Sequence, residues 1–172
     1  YPHAMGSPGA TLILASASPR RRELLARLGL AFEVRVADLD ETPLADEDPG
    51  AFVSRLAVAK AEAVAEACPE PNVAVIGADT AVVVDHHLLG KPADDADAAR
   101  MLRLLSGRTH QVLTGVAVVS RAEGFDDAAG GSALLPARSV SLEVASTEVT
   151  FGPLSDTDIA WYVATGEPAD KA

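Results

Sequence analysis

An apolar run, Leu12-Ile13-Leu14-Ala15, breaks abruptly into Ser16-Ala17-Ser18-Pro19-Arg20-Arg21-Arg22, and this transition constrains the fold more than any other stretch of the chain. It spells a strand, a tight turn and a helix start, with Ser18 as N-cap and Pro19 at the first helical position. Three arginines then occupy the first helical turn, where the helix dipole is positive and cations are disfavoured by roughly a few tenths of a kcal/mol each. A bound anion compensates for such an arrangement, because free backbone N–H groups and guanidinium forks at a helix N-terminus form a phosphate site. Solvation or pairing with surface acids is the alternative for one or two of them. Arg20, Arg21 and Arg22 cannot all face solvent from one turn.

The rest of the chain sharpens this contrast. Its net charge is −11, which argues against a nucleic-acid or membrane surface and leaves a local basic site suited to a small anionic ligand. At 172 residues it is expected to form one domain, with room for two lobes, burying roughly 68–70% of the unfolded surface. Only 4% of residues are aromatic, so the core must be built from Ala, Val and Leu. Cys68 is the only cysteine, which excludes a disulfide framework and makes a reducing, cytoplasmic setting the expectation. No run approaches the roughly 18–20 apolar residues of a membrane span, and no signal-peptide pattern is present. Residues 1–9 are expected to be a vector remnant and N-terminal tail, the remnant reaching about Ser7, with 10–172 a single α/β domain.

Pattern divides that domain into alternating elements. The first helix is expected over Pro19–Leu28, with Gly29 as its C-terminal cap and Leu24, Leu25 and Leu28 as its buried face. A short strand at Phe32–Val36 precedes an acidic loop, Asp38-Leu39-Asp40-Glu41. Asp48 and Pro49 open an Ala-rich helix running to about Ala67. Strand-type runs at Val73–Ile76 and Ala81–Val84 are interrupted by Gly77-Ala78-Asp79-Thr80, and Asp85-His86-His87 forms a turn. Asp94 or Asp95 caps a helix to Leu105, closed by Ser106-Gly107. A strand at Val112–Ser120, a Gly/Ala/Asp-rich loop at Arg121–Pro136 and one long or two short strands at Arg138–Phe151 follow. Ser155-Asp156-Thr157-Asp158 resembles a capping box opening a helix that ends before Gly166. The class is α/β with a mixed sheet flanked by helices.

Several residues break local rules. Asp79 lies between valine-rich runs, although aspartate is depleted in strands and costly to bury. Either Gly77–Thr80 is a turn with Asp79 solvated, or a strand end or bulge aims the carboxylate into a cleft as base or metal ligand. Lys60 falls on the apolar stripe Val53, Leu56, Lys60, Val64, Ala67, and either snorkels to the surface or reaches a phosphate cleft. Pro92 pushes Lys91 towards extended geometry. Asp40 and Glu41 are an acidic pair that is either solvated or able to hold Mg²⁺, which prefers a few carboxylates plus phosphate oxygens. His86 and His87 lack the partners of a zinc site and read as surface histidines. No Walker A loop, nucleophile elbow or dinucleotide fingerprint is present.

In order along the chain stand S-A-S-P-R-R, L-A-x-x-K-A around Lys60, G-A-D-T at Gly77–Thr80, L-G-K-P at Leu89–Pro92, M-L-R-x-L-S-G at Met101–Gly107 and E-P-x-D-K-A at Glu167–Ala172. In this succession the chain resembles the Maf family of house-cleaning nucleoside triphosphate pyrophosphatases. The resemblance implies a mixed sheet with a central nucleotide cleft, as in Maf and ITPase-like proteins. It also implies hydrolysis between the α- and β-phosphates with a divalent cation, Mg²⁺ or Mn²⁺. Ser16, Arg20 and Arg21 would then bind phosphate, and Glu41, Lys60 and Lys91 would line the catalytic cleft. Asp79 would be the proton acceptor, with Glu41 and Asp79 as the metal carboxylates. G-A-D-T resembles the branch acting on dTTP and UTP, which makes Thr80 the handle on base choice. The implied partner is a nucleoside triphosphate, without nucleic acid or membrane, and a homodimer is an admissible assembly. Family members continue past E-P-x-D-K-A into G-A-Y-x-I-Q-G, so the Maf-like domain at 10–172 is expected to lack its C-terminal segment. The alternative from another class is a nucleotide-binding regulator of division or septation without turnover. A generic phosphatase is a third reading, separated from the first by its product.

Overall fold

A computed structural model describes residues 10–85, 87–122 and 137–170. The stretch expected to be a vector remnant, His86, the 123–136 part of the expected loop, and Lys171-Ala172 of the last motif lie outside the described residues.

Strand β1 (Thr11–Ala15) gives way to helix α1 (Pro19–Ala26), whose N-cap is Ser18, its hydroxyl accepting from the Arg21 N–H. The helix ends at Ala26 rather than Leu28, and Gly29 follows in the left-handed region at φ +70°. Of the three leucines expected to be buried only Leu25 is; Leu24 and Leu28 are exposed. Leu24 points about 100° away from Leu25 around the helix, and Leu28 lies past its end. Strand β2 (Glu33–Val34) is shorter than expected and pairs parallel with β1, Leu14 opposite Val34.

Helix α2 (Pro49–Ala67) has the expected bounds, with the Asp48 carboxylate accepting from the N–H groups of Gly50 at 2.9 Å and Ala51 at 3.1 Å. Strand β3 runs unbroken over Val73–Val84, parallel to β1 in a register from Thr11–Val73 to Ala15–Gly77. The expected interruption at Gly77–Thr80 is therefore absent, and Asp79 lies in mid-strand rather than in a turn or at a strand end. Strand β4 (His87–Leu89) folds back antiparallel on β3, so His87 is a strand residue and not part of the turn. Asp85, at φ +48°, takes the left-handed conformation that this tight reversal needs.

Helix α3 (Asp95–Leu105) carries Asp94 as N-cap. Strand β5 (Thr109–Ala122) is longer at both ends than expected, and β6 (Ala137–Thr150) is one long strand. Helix α4 (Asp156–Ala164) opens with the reciprocal capping box of Ser155 and Asp158, and a 3-10 turn follows at Glu167–Asp170. The six-stranded sheet has the order β2-β1-β3-β5-β6, with β4 beside β3. Its parallel and antiparallel pairs make it mixed, as expected.

The chain divides into two compact units. Among the described residues the first comprises 10–42, 54–78, 116–122 and 137–143, with a core of Ile13, Ala15, Ala61, Val64, Val73, Val75 and Val119 among others. Arg121, expected in a loop, is the penultimate residue of β5. It donates to the carbonyls of Ala65, Cys68 and Glu70 at 3.2, 2.7 and 2.7 Å, clasping the last turn of α2 and the segment just past it. The Arg35 guanidinium grips both oxygens of Glu70 and holds that carboxyl down to about 2. The second comprises, among the described residues, 43–53, 79–85, 87–115 and 144–170, and packs Val82, Val84, Leu89 and Leu105 against Val112 and Phe151.

In the first unit α2 and β3 meet backbone to backbone at Gly77. A Cβ there would lie 2.1 Å from the Ala57 carbonyl oxygen and 2.8 Å from the Ala61 nitrogen, so only glycine fits. Gly77→Ala should lower stability by about 3 kcal/mol through overpacking. Gly90→Ala, where an added Cβ meets nothing within 4 Å, should leave stability near wild type. Urea unfolding of both variants checks the contrast, and equal midpoints would refute it.

Candidate functional site

The first unit gathers the phosphate-type residues at the end of β1. Ser16 is buried, its hydroxyl accepting from the Ser18 N–H and from Arg21 Nη1, each at 3.3 Å. Arg21 Nη1 also donates to the carbonyl of Ala78 at 2.8 Å. Arg21 is half-buried, whereas Arg20 and Arg22 are exposed, so the first helical turn divides its three cations between the interior and solvent. The guanidinium of Arg21 thereby ties the start of α1 to β3 at the residue before Asp79.

Lys60 projects from α2 between Ala57 and Ala61, the residues that meet Gly77. Its side chain is 13% exposed and ends 2.7 Å from a Glu41 carboxylate oxygen, while Glu41 is 47% exposed. The apolar stripe therefore covers the lysine stem, and the ammonium ends on an acid. The neighbouring Asp40 does not join them. Its carboxylate accepts from the Thr42 N–H at 2.9 Å, closing a local turn, and hydrogen bonding to Thr42 holds it below the usual carboxylate range.

The second unit contains Asp79, Thr80 and Lys91. Asp79 is 7% exposed, and side chains alternate along a strand, so Asp79 shares a face of β3 with Gly77 while Thr80 takes the other. Thr80 Oγ1 lies 3.1 Å from Thr114 Oγ1 on β5. β1 pairs with β3 only as far as Gly77 and β4 only from Val82, so Ala78–Ala81 have neither strand beside them. Lys91 is exposed just beyond β4, and His87 is exposed on it, as a surface histidine should be. A recess of about 240 Å³ in this unit, lined by Asp85, His110 and Glu148 among others, contains none of the predicted residues. Burial holds His110 there below its ordinary pKa.

Thr114 is the residue that sequence reasoning missed. A threonine in a strand is ordinary, and nothing in its neighbours signals a cross-strand partner. For a metal, no group of three or more His, Cys, Asp or Glu side chains is preassembled among the described residues. Glu41 and Asp79 are hard oxygen donors of the kind Mg²⁺ takes one or two at a time, with phosphate oxygens and water completing its shell. The donor chemistry fits a cation that arrives with a phosphate ligand.

Residues 11–172 match the family model described as Maf-like protein. The chain belongs to the Maf family. A family protein of Anaeromyxobacter dehalogenans is 51% identical over 162 residues, covering 94% of this chain and 74% of its own length. One from Koribacter versatilis is 49% identical, covering 95% and 76%. One from Myxococcus xanthus is 46% identical, covering 98% and 76%. Each of these Maf relatives is named dTTP/UTP pyrophosphatase. The Staphylococcus aureus Ham1 protein overlaps 81% of this chain and 72% of its own at 16% identity and a TM-score of 0.45, too loose a likeness to carry an argument.

Arg21 is the side chain on which the local geometry of the Maf S-A-S-P-R-R motif turns. Arg21→Met keeps the aliphatic stem but takes the guanidinium donor from the Ala78 carbonyl and one of two donors from the Ser16 hydroxyl, which keeps the Ser18 N–H. It should destabilise the protein by about 2 kcal/mol, the scale of a charge-assisted hydrogen bond. An unchanged denaturation midpoint would show the tie to be dispensable.

Proposed function

We propose that this chain hydrolyses dTTP and UTP to the nucleoside monophosphate and pyrophosphate, a house-cleaning activity on the cytoplasmic pool of free nucleotides. The observation that carries this reading is Asp79. A carboxylate held 7% exposed in mid-strand beside Thr80 needs a reason, and the chain is about half identical to relatives named for this reaction.

In the proposed reaction water attacks the phosphorus on one side of the α–β bridge. A new P–O bond forms at that phosphorus, its bond to the bridging oxygen breaks, and that oxygen departs with the other phosphate group, giving the nucleoside monophosphate and pyrophosphate. Asp79 takes the proton of the attacking water. Ser16, Arg20 and Arg21 bind phosphate oxygens, and Lys60 and Lys91 offset the charge that develops on them. Glu41 holds the Lys60 ammonium at 2.7 Å, fixing its position before substrate arrives. A divalent cation held by Glu41 and Asp79 would supply further charge neutralisation of the phosphates. Thr80 contacts the base, on the face of β3 opposite the Asp79 carboxylate, which separates base reading from phosphoryl chemistry. No helix among the described residues is long and apolar enough to cross a membrane.

Product analysis with Mg²⁺ or Mn²⁺ tests the reading. Pyrophosphate should be released from dTTP and UTP, with little from 7-methyl-GTP. Orthophosphate as the product would make the protein a phosphatase, and binding without turnover would make it a sensor. Asp79→Asn should keep nucleotide binding and lower turnover by a factor of ~10² or more, the scale of a lost general base. Wild-type rates in that variant would remove Asp79 from the chemistry.

A further inference from the structure

Glu41 belongs to an exposed loop of the first unit, yet its carboxylate ends 2.7 Å from the Lys60 ammonium. An ion pair with one partner so exposed holds a loop only weakly, because ordering two long side chains offsets most of the attraction. The backbone must therefore bring Glu41 to the helix. Its neighbour supplies the means. The Asp40 carboxylate accepts from the Thr42 N–H at 2.9 Å, two residues further on. Such a bond closes a small ring of atoms that contains the Glu41 backbone, so the dihedral angles of Glu41 are restrained by the side chain before it.

The far side of this ring is anchored to α2. Arg55 Nη2 donates to the Thr42 carbonyl at 3.3 Å. Arg55 and Lys60 stand on the same helix, about 7.5 Å apart along its axis. The loop thus meets α2 at two points, through the main chain of Thr42 and the side chain of Glu41, with the Asp40 turn holding the two in register. Adjacent carboxylates here have separate tasks. One shapes the main chain, and the other receives the ammonium.

We propose that Asp40 is a positioning residue: by closing the turn around Glu41 it seats that carboxylate on Lys60, and it acts on turnover through this pair rather than as a metal ligand or base. The effect on turnover rests on the proposed pyrophosphatase reading, whereas the seating follows from the contacts of the loop with α2. The turn needs an acceptor oxygen and not a charge, and asparagine offers one in the same place. A ligand to a divalent cation or a proton acceptor needs the carboxylate itself.

Two measurements on the full chain test it, each on wild type, Asp40→Ala, Asp40→Asn and Glu41→Gln. The first is the Lys60 Cε resonance in ¹³C-lysine-labelled protein, in which only three lysines need assignment. Asp40→Ala should move that resonance toward its position in Glu41→Gln, and Asp40→Asn should leave it where wild type has it. The second is steady-state hydrolysis of dTTP with Mg²⁺. Asp40→Ala should lower kcat about ten-fold with KM little changed, the cost of a misplaced charge, and Asp40→Asn should restore it. Added to Glu41→Gln, the Asp40→Ala change should cost nothing more, because it acts through the group already lost. A Lys60 resonance unmoved by Asp40→Ala overturns the inference. So does an Asn variant as slow as the Ala variant, a raised Mg²⁺ requirement in Asp40→Asn, or losses that multiply in the double variant. Wild-type protein that releases no pyrophosphate from dTTP overturns the proposed function, and the resonance then decides the seating of Glu41 by itself.

Discussion

The close approach of α2 to β3 at Gly77 is the constraint on which the first unit depends. A helix can lie this near a strand only where the strand has no side chain, and a Cβ at Gly77 would come within 2.1 Å of a helix carbonyl. The helix answers with small residues, Ala57 and Ala61, both fully buried. That contact fixes where the intervening Lys60 leaves the helix, and therefore where its ammonium meets Glu41. The same absence of a side chain lets β3 continue through Gly77 without a bulge, which is why Asp79 lies within a strand.

Arginine carries a second theme, one the net charge of −11 tends to hide. Arg21 and Arg121 both spend guanidinium N–H groups on main-chain carbonyls, Arg21 at β3 and Arg121 at the end of α2. The planar fork suits this task because several donors leave one rigid group in different directions. Arg35 does the complementary work with the carboxylate of Glu70. A cation disfavoured by the dipole at the start of α1 is thus offset in part by carbonyl oxygens of the protein itself. The phosphate reading of the three arginines consequently narrows: Arg20 is exposed, while Arg21 also has a structural task.

The candidate site was legible where a residue type clashed with its surroundings. Asp79 between valines, Lys60 on an apolar stripe and arginines in a first helical turn each oppose a local preference, and a single sequence displays such conflicts directly. What resolves each conflict was not legible. Nothing near Glu41 announces that its carboxylate ends on Lys60, and nothing near Thr114 announces Thr80, because both pairs join segments that are distant along the chain. The leucines of α1 show the reverse error. Leu24 and Leu28 look like core by type, yet in a helix of eight residues only Leu25 reaches the core.

By itself, then, the sequence determined the helix starts, the alternation of elements and the identity of the residues that oppose their local surroundings. Caps such as Ser18, Asp48, Asp94 and Ser155 act within three residues of themselves, so local order suffices to write them. Tertiary structure alone decided that Val73–Val84 is one strand, since β5 neighbours it in the sheet while β1 pairs with one stretch and β4 with another. It also decided which side chains meet. Hydrogen bonds between strands and ion pairs from helix to loop depend on distances that only the folded chain brings below a few ångströms, and no periodicity in the sequence encodes them.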